Sequence, residues 1–142
     1  MATAAQFSDT PNKGTPASLT AANISKDGAG ATGRALVLTA SAGRGTILPY
    51  LRCKPKGANI ATLIRVFKNN GSDPEVASNN SLIAEKSIAA SSLSETTENA
   101  VYDIPLNLIL QGSATVPERI YVLNATAVAT GIVITPMNAG DL

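Results

Sequence analysis

The stretch that decides the fold is residues 59–68, NIATLIRVFK. Its side chains alternate along an extended chain, and Ile, Val, Thr and Phe are residue types that favour β-strands. Apolar side chains fall on both faces for part of the run, whereas a half-exposed strand carries them on one face. The stretch therefore predicts a central β-strand that is covered on both sides over part of its length.

Similar short runs on either side predict a succession of strands. The predicted strands are 35–41, 46–53, 59–68, 81–89, 100–110, 118–126 and 129–135. Turn-forming residues rich in Gly, Asn, Ser and Pro separate them. Pro49 and Pro105 fall inside predicted strands, where a missing N–H is tolerated only at an edge, a bulge or a break in pairing.

No window shows a convincing helical stripe, so the predicted fold class is all-β. Seven or eight short strands in a chain of 142 residues indicate a single β-sandwich. We expect a jelly roll in preference to an immunoglobulin-like arrangement. The sparse aromatic residues predict a core that is mainly aliphatic.

The first 33 residues differ in composition from the rest of the chain. Ala, Thr, Ser, Gly, Asn and Pro dominate them, and apolar runs begin only at Ala35. The sequence thus predicts an extended N-terminal arm over residues 1–33 and a β-sandwich domain over residues 34–142. Such an arm cannot bury enough surface to fold alone, so we expect it to be ordered on a partner rather than disordered.

Residues 28–33 form a formal match to the dinucleotide-binding fingerprint G-x-G-x-x-G. The fingerprint requires an apolar strand before it, a helix after it and an acidic residue about 20 positions on. Here the preceding residues are polar, a strand is predicted next, and no acidic residue occurs until Asp73. We interpret the match as chance and the glycines as a flexible hinge between arm and domain.

The overall charge of the chain does not indicate a class of partner. Charged residues make up 15% of the chain and the net charge is +1, which predicts neither a nucleic-acid nor a membrane partner. No apolar stretch approaches the length of a membrane span. The single Cys53 shares a strand face with Leu51, whereas Arg52 and Lys54 take the other face. We therefore expect a buried, unreactive thiol and folding in a reducing cytoplasm.

The sequence offers little material for catalysis. It contains no histidine, which removes the usual general base near neutral pH and the commonest metal ligand. The carboxylate pairs Glu95/Glu98 and Asp73/Glu75 lie in stretches that are typical of exposed loops. We expect no catalytic, cofactor-binding or metal-binding residues, and a protein that is not an enzyme.

Charges are unevenly distributed along the chain. Between Asp27 and Asp73 there is no acidic residue, and acidic residues predominate from Asp73 onward. One interpretation is that basic and acidic strands neutralise each other across the sheets. The other is a charged face that fixes the register on a partner or a neighbouring copy. The cations of the basic half are Arg34, Arg44, Arg52, Lys54, Lys56, Arg65 and Lys68.

Five stretches carry a recognisable pattern: 51–62 (LRCKPKGANIAT), 65–72 (RVFKNNGS), 79–83 (NNSLI), 105–108 (PLNL) and 131–135 (GIVIT). With these stretches the chain resembles a recurrent family of small virion proteins of tailed bacteriophages. The resemblance extends to Gly140 and Asp141, so it covers about residues 48–142. It implies a virion component and supplies no enzymatic residues.

The position in the virion is our own inference from size and plan. Small jelly-roll proteins of this size commonly decorate phage heads, so we expect a cement protein, made in the host cytoplasm, on the outer capsid surface. Its expected partners are the major capsid protein and other copies of itself, as a homodimer or homotrimer. The arm and the long loop from Asn69 to Asn80 are the expected contacts.

Two alternatives remain open. A tail or baseplate component would also be structural but would assemble elsewhere in the virion. A ligand-binding β-sandwich module is a different class, although three Tyr and no Trp make a poor platform for sugars. Location in the virion separates the first alternative, and a glycan screen separates the second.

Overall fold

The computed structural model describes residues 10–142 as an all-β protein, with two antiparallel sheets packed face to face. The predicted β-sandwich is confirmed. Among the described residues no helix is long and apolar enough to cross a membrane. A 3₁₀ turn lies at Ala77–Asn79, and the strands are β1 Thr10–Pro11, β2 Ala17–Leu19, β3 Arg34–Thr39, β4 Thr46–Pro55, β5 Thr62–Asn69, β6 Asn80–Ile88, β7 Tyr102–Leu110, β8 Arg119–Asn124, β9 Ile132–Met137 and β10 Gly140–Asp141.

The first sheet contains β1, β2, β4, β7, β9 and β10, and the second has the order β3-β8-β5-β6. In the first sheet β4 pairs with β7 on one side and with β9 and β10 on the other. β2 continues the sheet beyond β9, and β1 continues it beyond β10. Every strand predicted from the sequence is present, as β3 to β9, with ends shifted by a few residues.

The space between the sheets is filled by aliphatic side chains, as predicted. Ile64 and Val66 of β5 belong to this main core, whereas Phe67 belongs to a separate buried cluster with Tyr121 and Leu123. Because successive side chains of a strand point to opposite faces, this second cluster lies on the outer face of the second sheet. The prediction that this strand is covered on both sides is confirmed.

The two strand prolines lie where the ladder tolerates them. Pro105 is on β7, which among the described strands pairs only with β4 and is therefore an edge. Pro49 is on the central strand β4, but the β4–β7 register shifts there. In the segments on either side of β4, Asn107 of β7 and Asn138 between β9 and β10 take positive φ values of 50° and 58°. Thus Pro49 occupies a break in pairing on both sides.

The predicted arm needs correction over residues 10–33. β1 pairs with β10, β2 pairs with β9, and Leu19 is 3% exposed within the main core. Residues 10–33 therefore belong to the sandwich domain, and the predicted boundary after residue 33 is wrong for them. The sequence did not reveal the pairing because much of it rests on backbone hydrogen bonds, which any residue type except proline can donate. Residues 1–9 lie outside the described residues.

Three donors converge on the carboxylate of Asp141 at one end of the sandwich. They are Asn12 Nδ2 at 3.0 Å, Ser41 Oγ at 2.5 Å and Thr46 Oγ1 at 2.8 Å. Burial raises the pKa of Asp141, but these hydrogen bonds and the charge of Arg44 outweigh it and lower the pKa. The Asp141 carboxylate on β10 thus bonds to the residue after β1, to β4 and to the β3–β4 loop.

The β3–β4 loop also packs directly on the backbone that follows β7. The Gly43 N–H donates to the Gly112 carbonyl at 2.6 Å. A Cβ atom built on Gly112 would lie 1.3 Å from the Arg44 carbonyl oxygen and 2.0 Å from that of Ser41. Position 112 therefore requires glycine because the two backbones approach too closely for any side chain.

Candidate interaction surfaces

The structure brings together the two segments that the sequence singled out for partner contacts. Asn80 Nδ2 donates to the Asp27 carbonyl at 3.1 Å, and the Gly30 N–H donates to Glu75 Oε2 at 3.0 Å. Glu75 also forms an ion pair of 2.7 Å with Arg34. We call the combined surface of residues 20–33 and 69–80 the loop platform.

Side-chain hydrogen bonds shape the first half of the platform. Asn23 Nδ2 donates to the carbonyls of Gly30 at 2.9 Å and Thr32 at 2.8 Å. The Asp27 carboxylate accepts from Ser25 Oγ at 2.6 Å and from the Ala29 N–H at 3.0 Å, and these two bonds, Ser25 first, lower the pKa of Asp27. The segment is thus ordered without a core of its own.

The glycines of the false fingerprint have a structural role in this segment. Gly28, Gly30 and Gly33 have φ values of 82°, 93° and 72°, a region that other residues seldom adopt. The hydrogen bonds from Asn23 and to Glu75 hold this turn in place. The hinge interpretation is therefore wrong, since the glycines form a turn that hydrogen bonds join to Asn23 and Glu75.

Paired asparagines shape the second half of the platform. Asn69 Nδ2 donates to Asn80 Oδ1 at 2.8 Å, and Asn70 Nδ2 donates to Asn79 Oδ1 at 3.1 Å. The Gly71 N–H donates to Asn69 Oδ1 at 2.7 Å. These hydrogen bonds within the loop define its shape.

The platform closes over the second apolar cluster. The Asn23 N–H donates to the Asn124 carbonyl of β8 at 2.8 Å, and the Arg34 guanidinium lies 5.2 Å from the centroid of the Tyr121 ring. Arg65 is buried on the same side of the sheet and pairs with Glu85 at 2.9 Å. The part of the outer face over Tyr121 and the rest of the second apolar cluster is thus covered by the chain itself.

The platform presents two accessible apolar side chains. Ile24 is 77% exposed in the first segment, and Val76 is 48% exposed in the second. Apolar side chains on a fixed, otherwise polar surface are suited to anchoring a protein partner.

Ion pairs within the chain neutralise part of the basic half, and two of these pairs join neighbouring strands. Arg52 lies opposite Asp103 in the β4–β7 register, and Arg65 lies opposite Glu85 in the β5–β6 register. The hydrogen bond from Arg52 lowers the pKa of Asp103, and the same bond raises the pKa of Arg52. The first interpretation is therefore confirmed for Arg52 and Arg65. Arg34 and Lys68 are neutralised by residues outside the strands, Glu75 in the β5–β6 loop and Glu118 just before β8.

A groove of about 670 Å³ lies on the outer face of the first sheet. Lys54 and Lys56 line it from β4 and the residues just after it, and Glu95 and Glu98 line it from the β6–β7 loop. The sequence marked the two glutamates only as loop residues. Their position beside the lysines depends on the path of the β6–β7 loop across the sheet, for which there is no local sequence signal.

Cys53 lies in the main core next to this groove but does not reach it. It is fully buried, and desolvation, together with the charge of Asp103, raises the pKa of its thiol to about 12. The predicted burial of the thiol is confirmed.

Comparisons with known proteins add little to this description. No protein-family model matches the chain, and no curated protein matches it. The chain is similar to a chain in a solved structure titled "Structure of infectious bursal disease virus Gt strain", with 13% sequence identity and a TM-score of 0.29. The alignment covers 94% of this chain and 32% of the viral one, so this chain spans about a third of that length. A similarity at this level does not establish a shared fold or function.

Proposed function

We propose that this protein is a non-enzymatic virion component of a tailed bacteriophage that decorates the outer capsid surface and bridges neighbouring major capsid proteins. The loop platform carries the proposal, because two segments distant in sequence form one preorganised surface with Ile24 and Val76 exposed on it. The resemblance of residues 48–142 to small phage virion proteins supports the virion assignment.

We further propose that the sandwich is a jelly roll. If β1 with β2 and β9 with β10 are each taken as one interrupted strand, the first pairs with the last: β1 with β10 and β2 with β9. Moving inward along the chain, β3 pairs with β8, β4 with β7 and β5 with β6. Such nested pairing is what a long hairpin forms when it rolls into two sheets.

The edges of the sandwich are poorly suited to pairing with strands of other chains. The β3–β8 register shifts at Val37, and the β5–β6 register shifts at Ile83. β7 carries Pro105 and the positive-φ residue Asn107. Bulges and proline are devices that protect edge strands from adding a further strand. We therefore place the capsid contact on the loop platform rather than on a sheet edge.

A bridging contact of this kind would stabilise the shell by mass action. A protein that binds only where two capsid proteins meet shifts the equilibrium toward the assembled shell. A platform whose loops are already ordered loses little conformational entropy on binding, so more of the contact energy contributes to affinity.

The proposal is tested by mixing the purified protein with undecorated heads of its phage, sedimenting the particles and imaging them by electron microscopy. The double variant Ile24→Asp/Val76→Asp should bind heads at least about tenfold more weakly, since it places charges on the apolar anchors. Ile109→Asp is the matched control, because Ile109 is exposed on β7 outside the platform.

Regular density on the outer head surface for the wild type and for Ile109→Asp is the expected result. Equal binding by the platform variant would contradict the role of the platform. Binding to tails instead of heads would favour the tail or baseplate alternative, and absence of binding to either would overturn the proposal.

A further inference from the structure

The groove on the first sheet contains opposite charges that do not pair within the chain. Lys54, Lys56, Glu95 and Glu98 all line it, and in the part of the chain that the structure describes none of them forms an ion pair. Elsewhere the cations of the basic half pair at distances as short as 2.7 Å. Unpaired charges of both signs are thus gathered on one surface.

The same surface also has complementary apolar parts. Leu93, on the β6–β7 loop, is 63% exposed, so a large side chain projects from the wall of the groove. Pro55 and Val133 contribute apolar surface to the groove lining. A projecting leucine followed by two glutamates and a groove carrying lysines are therefore present on one molecule.

We propose that this groove binds the β6–β7 loop of a second copy of the chain, residues 93–99, in a two-fold symmetric contact. In such a contact the same patch is used on both copies, so a patch carrying both a projection and its complement can pair with itself. Glu95 and Glu98 of each copy meet Lys54 and Lys56 of the other, and Leu93 enters the apolar part of the groove.

This inference does not depend on the capsid proposal, because it rests on the charges of the groove and not on the loop platform. The two surfaces lie on the outer faces of different sheets. A dimer formed through the groove therefore leaves both platforms accessible for other partners.

The test uses reciprocal charge reversals and sedimentation velocity. Lys54→Glu/Lys56→Glu and Glu95→Lys/Glu98→Lys should each weaken self-association at least about tenfold, since like charges then face each other at both contacts. Mixing the two variants should restore a heterodimer, because each groove then meets a loop of opposite charge. Lys13→Glu is the control for a change in net charge, since Lys13 is an exposed lysine outside both the groove and the loop platform.

The alternative is that the lysines and glutamates pair within one chain in solution. That alternative predicts that mixing restores nothing, whereas the variant carrying all four reversals recovers thermal stability as a monomer. A wild type that stays monomeric at the highest soluble concentration in low salt overturns the proposal. Self-association that the reversals do not weaken relative to the lysine control overturns it as well.

Discussion

Replacing Gly112 by alanine tests how closely the backbones pack at the Asp141 end of the sandwich. The added Cβ would lie 1.3 Å from the Arg44 carbonyl oxygen, whereas ordinary contacts begin near 3.4 Å, so the loops must separate. The β3–β4 loop cannot move freely, because Ser41 is held by both Asp141 and Thr46.

The expected cost follows from two effects of that separation. Overpacking costs about 1–3 kcal/mol. Losing the 2.6 Å hydrogen bond from Gly43 to Gly112 adds about 0.5–1.5 kcal/mol. Together they lower the free energy of unfolding by about 2–4 kcal/mol, which for a chain of this size reduces Tm by about 6–12 °C.

Gly57→Ala is the matched control for this substitution. Its φ is not in the left-handed region, and the nearest atom to a new Cβ is Thr130 Cγ2 at 3.4 Å, an ordinary contact. Alanine there should leave stability unchanged or raise it by up to about 1 kcal/mol, because it restricts the unfolded chain. Chemical and thermal denaturation of both variants measure the difference. A Gly112→Ala variant within about 0.5 kcal/mol of the wild type would refute the reasoning.

Three further predictions concern other parts of the fold. Leu19→Ala should lower the free energy of unfolding in urea by about 2–5 kcal/mol because Leu19 is a core residue. Leu93→Ala, at an exposed position, should lower it by less than about 0.5 kcal/mol. Equal effects would argue against burial of the 10–33 segment. Asp141→Asn should cost about 1–2 kcal/mol at neutral pH. Because the folded pKa of Asp141 lies below its unfolded value, the stabilisation by its carboxylate is present above about pH 4 and is lost as the pH falls through the folded pKa. The stability of the variant should therefore fall less steeply in acid than that of the wild type. Parallel profiles of stability against pH would contradict this. Cys53 should react with a thiol reagent only at the rate of unfolding, since its thiol is buried with a pKa of about 12; rapid labelling of the native protein would disprove burial.

The sequence predicted the features that depend on local pattern. Strand-forming residues bounded by turn formers placed β3 to β9, and the mixed faces of β5 indicated cover on both sides. Pro49 and Pro105 indicated edges or breaks in pairing, without showing which of the two applied to each. These outcomes follow because side-chain periodicity and proline chemistry act over a few residues.

Features that depend on distant pairing were missed. β1, β2 and β10 are two or three residues long, too short to show a pattern of their own, and they exist because an open strand edge lies beside them. The turn at residues 23–32 is ordered by Asn and Asp side chains, which in a sequence resemble the composition of a disordered arm. The groove charges also required the strand order, which short-range pattern does not contain.

The nested pairing of strands has a consequence for how the chain acquires its structure. β4 pairs with β7 and with β9, so its place in the sheet is complete only after β9, which follows it by more than 70 residues, has been made. Pairings of such large sequence separation carry a high loop-closure entropy, and folds dominated by them reach the native state in milliseconds to seconds rather than microseconds. β4 therefore stays without its partners until β7 and β9 have been synthesised, and Pro49, which has no backbone N–H to donate, reduces the tendency of this strand to pair with a neighbouring nascent chain before then.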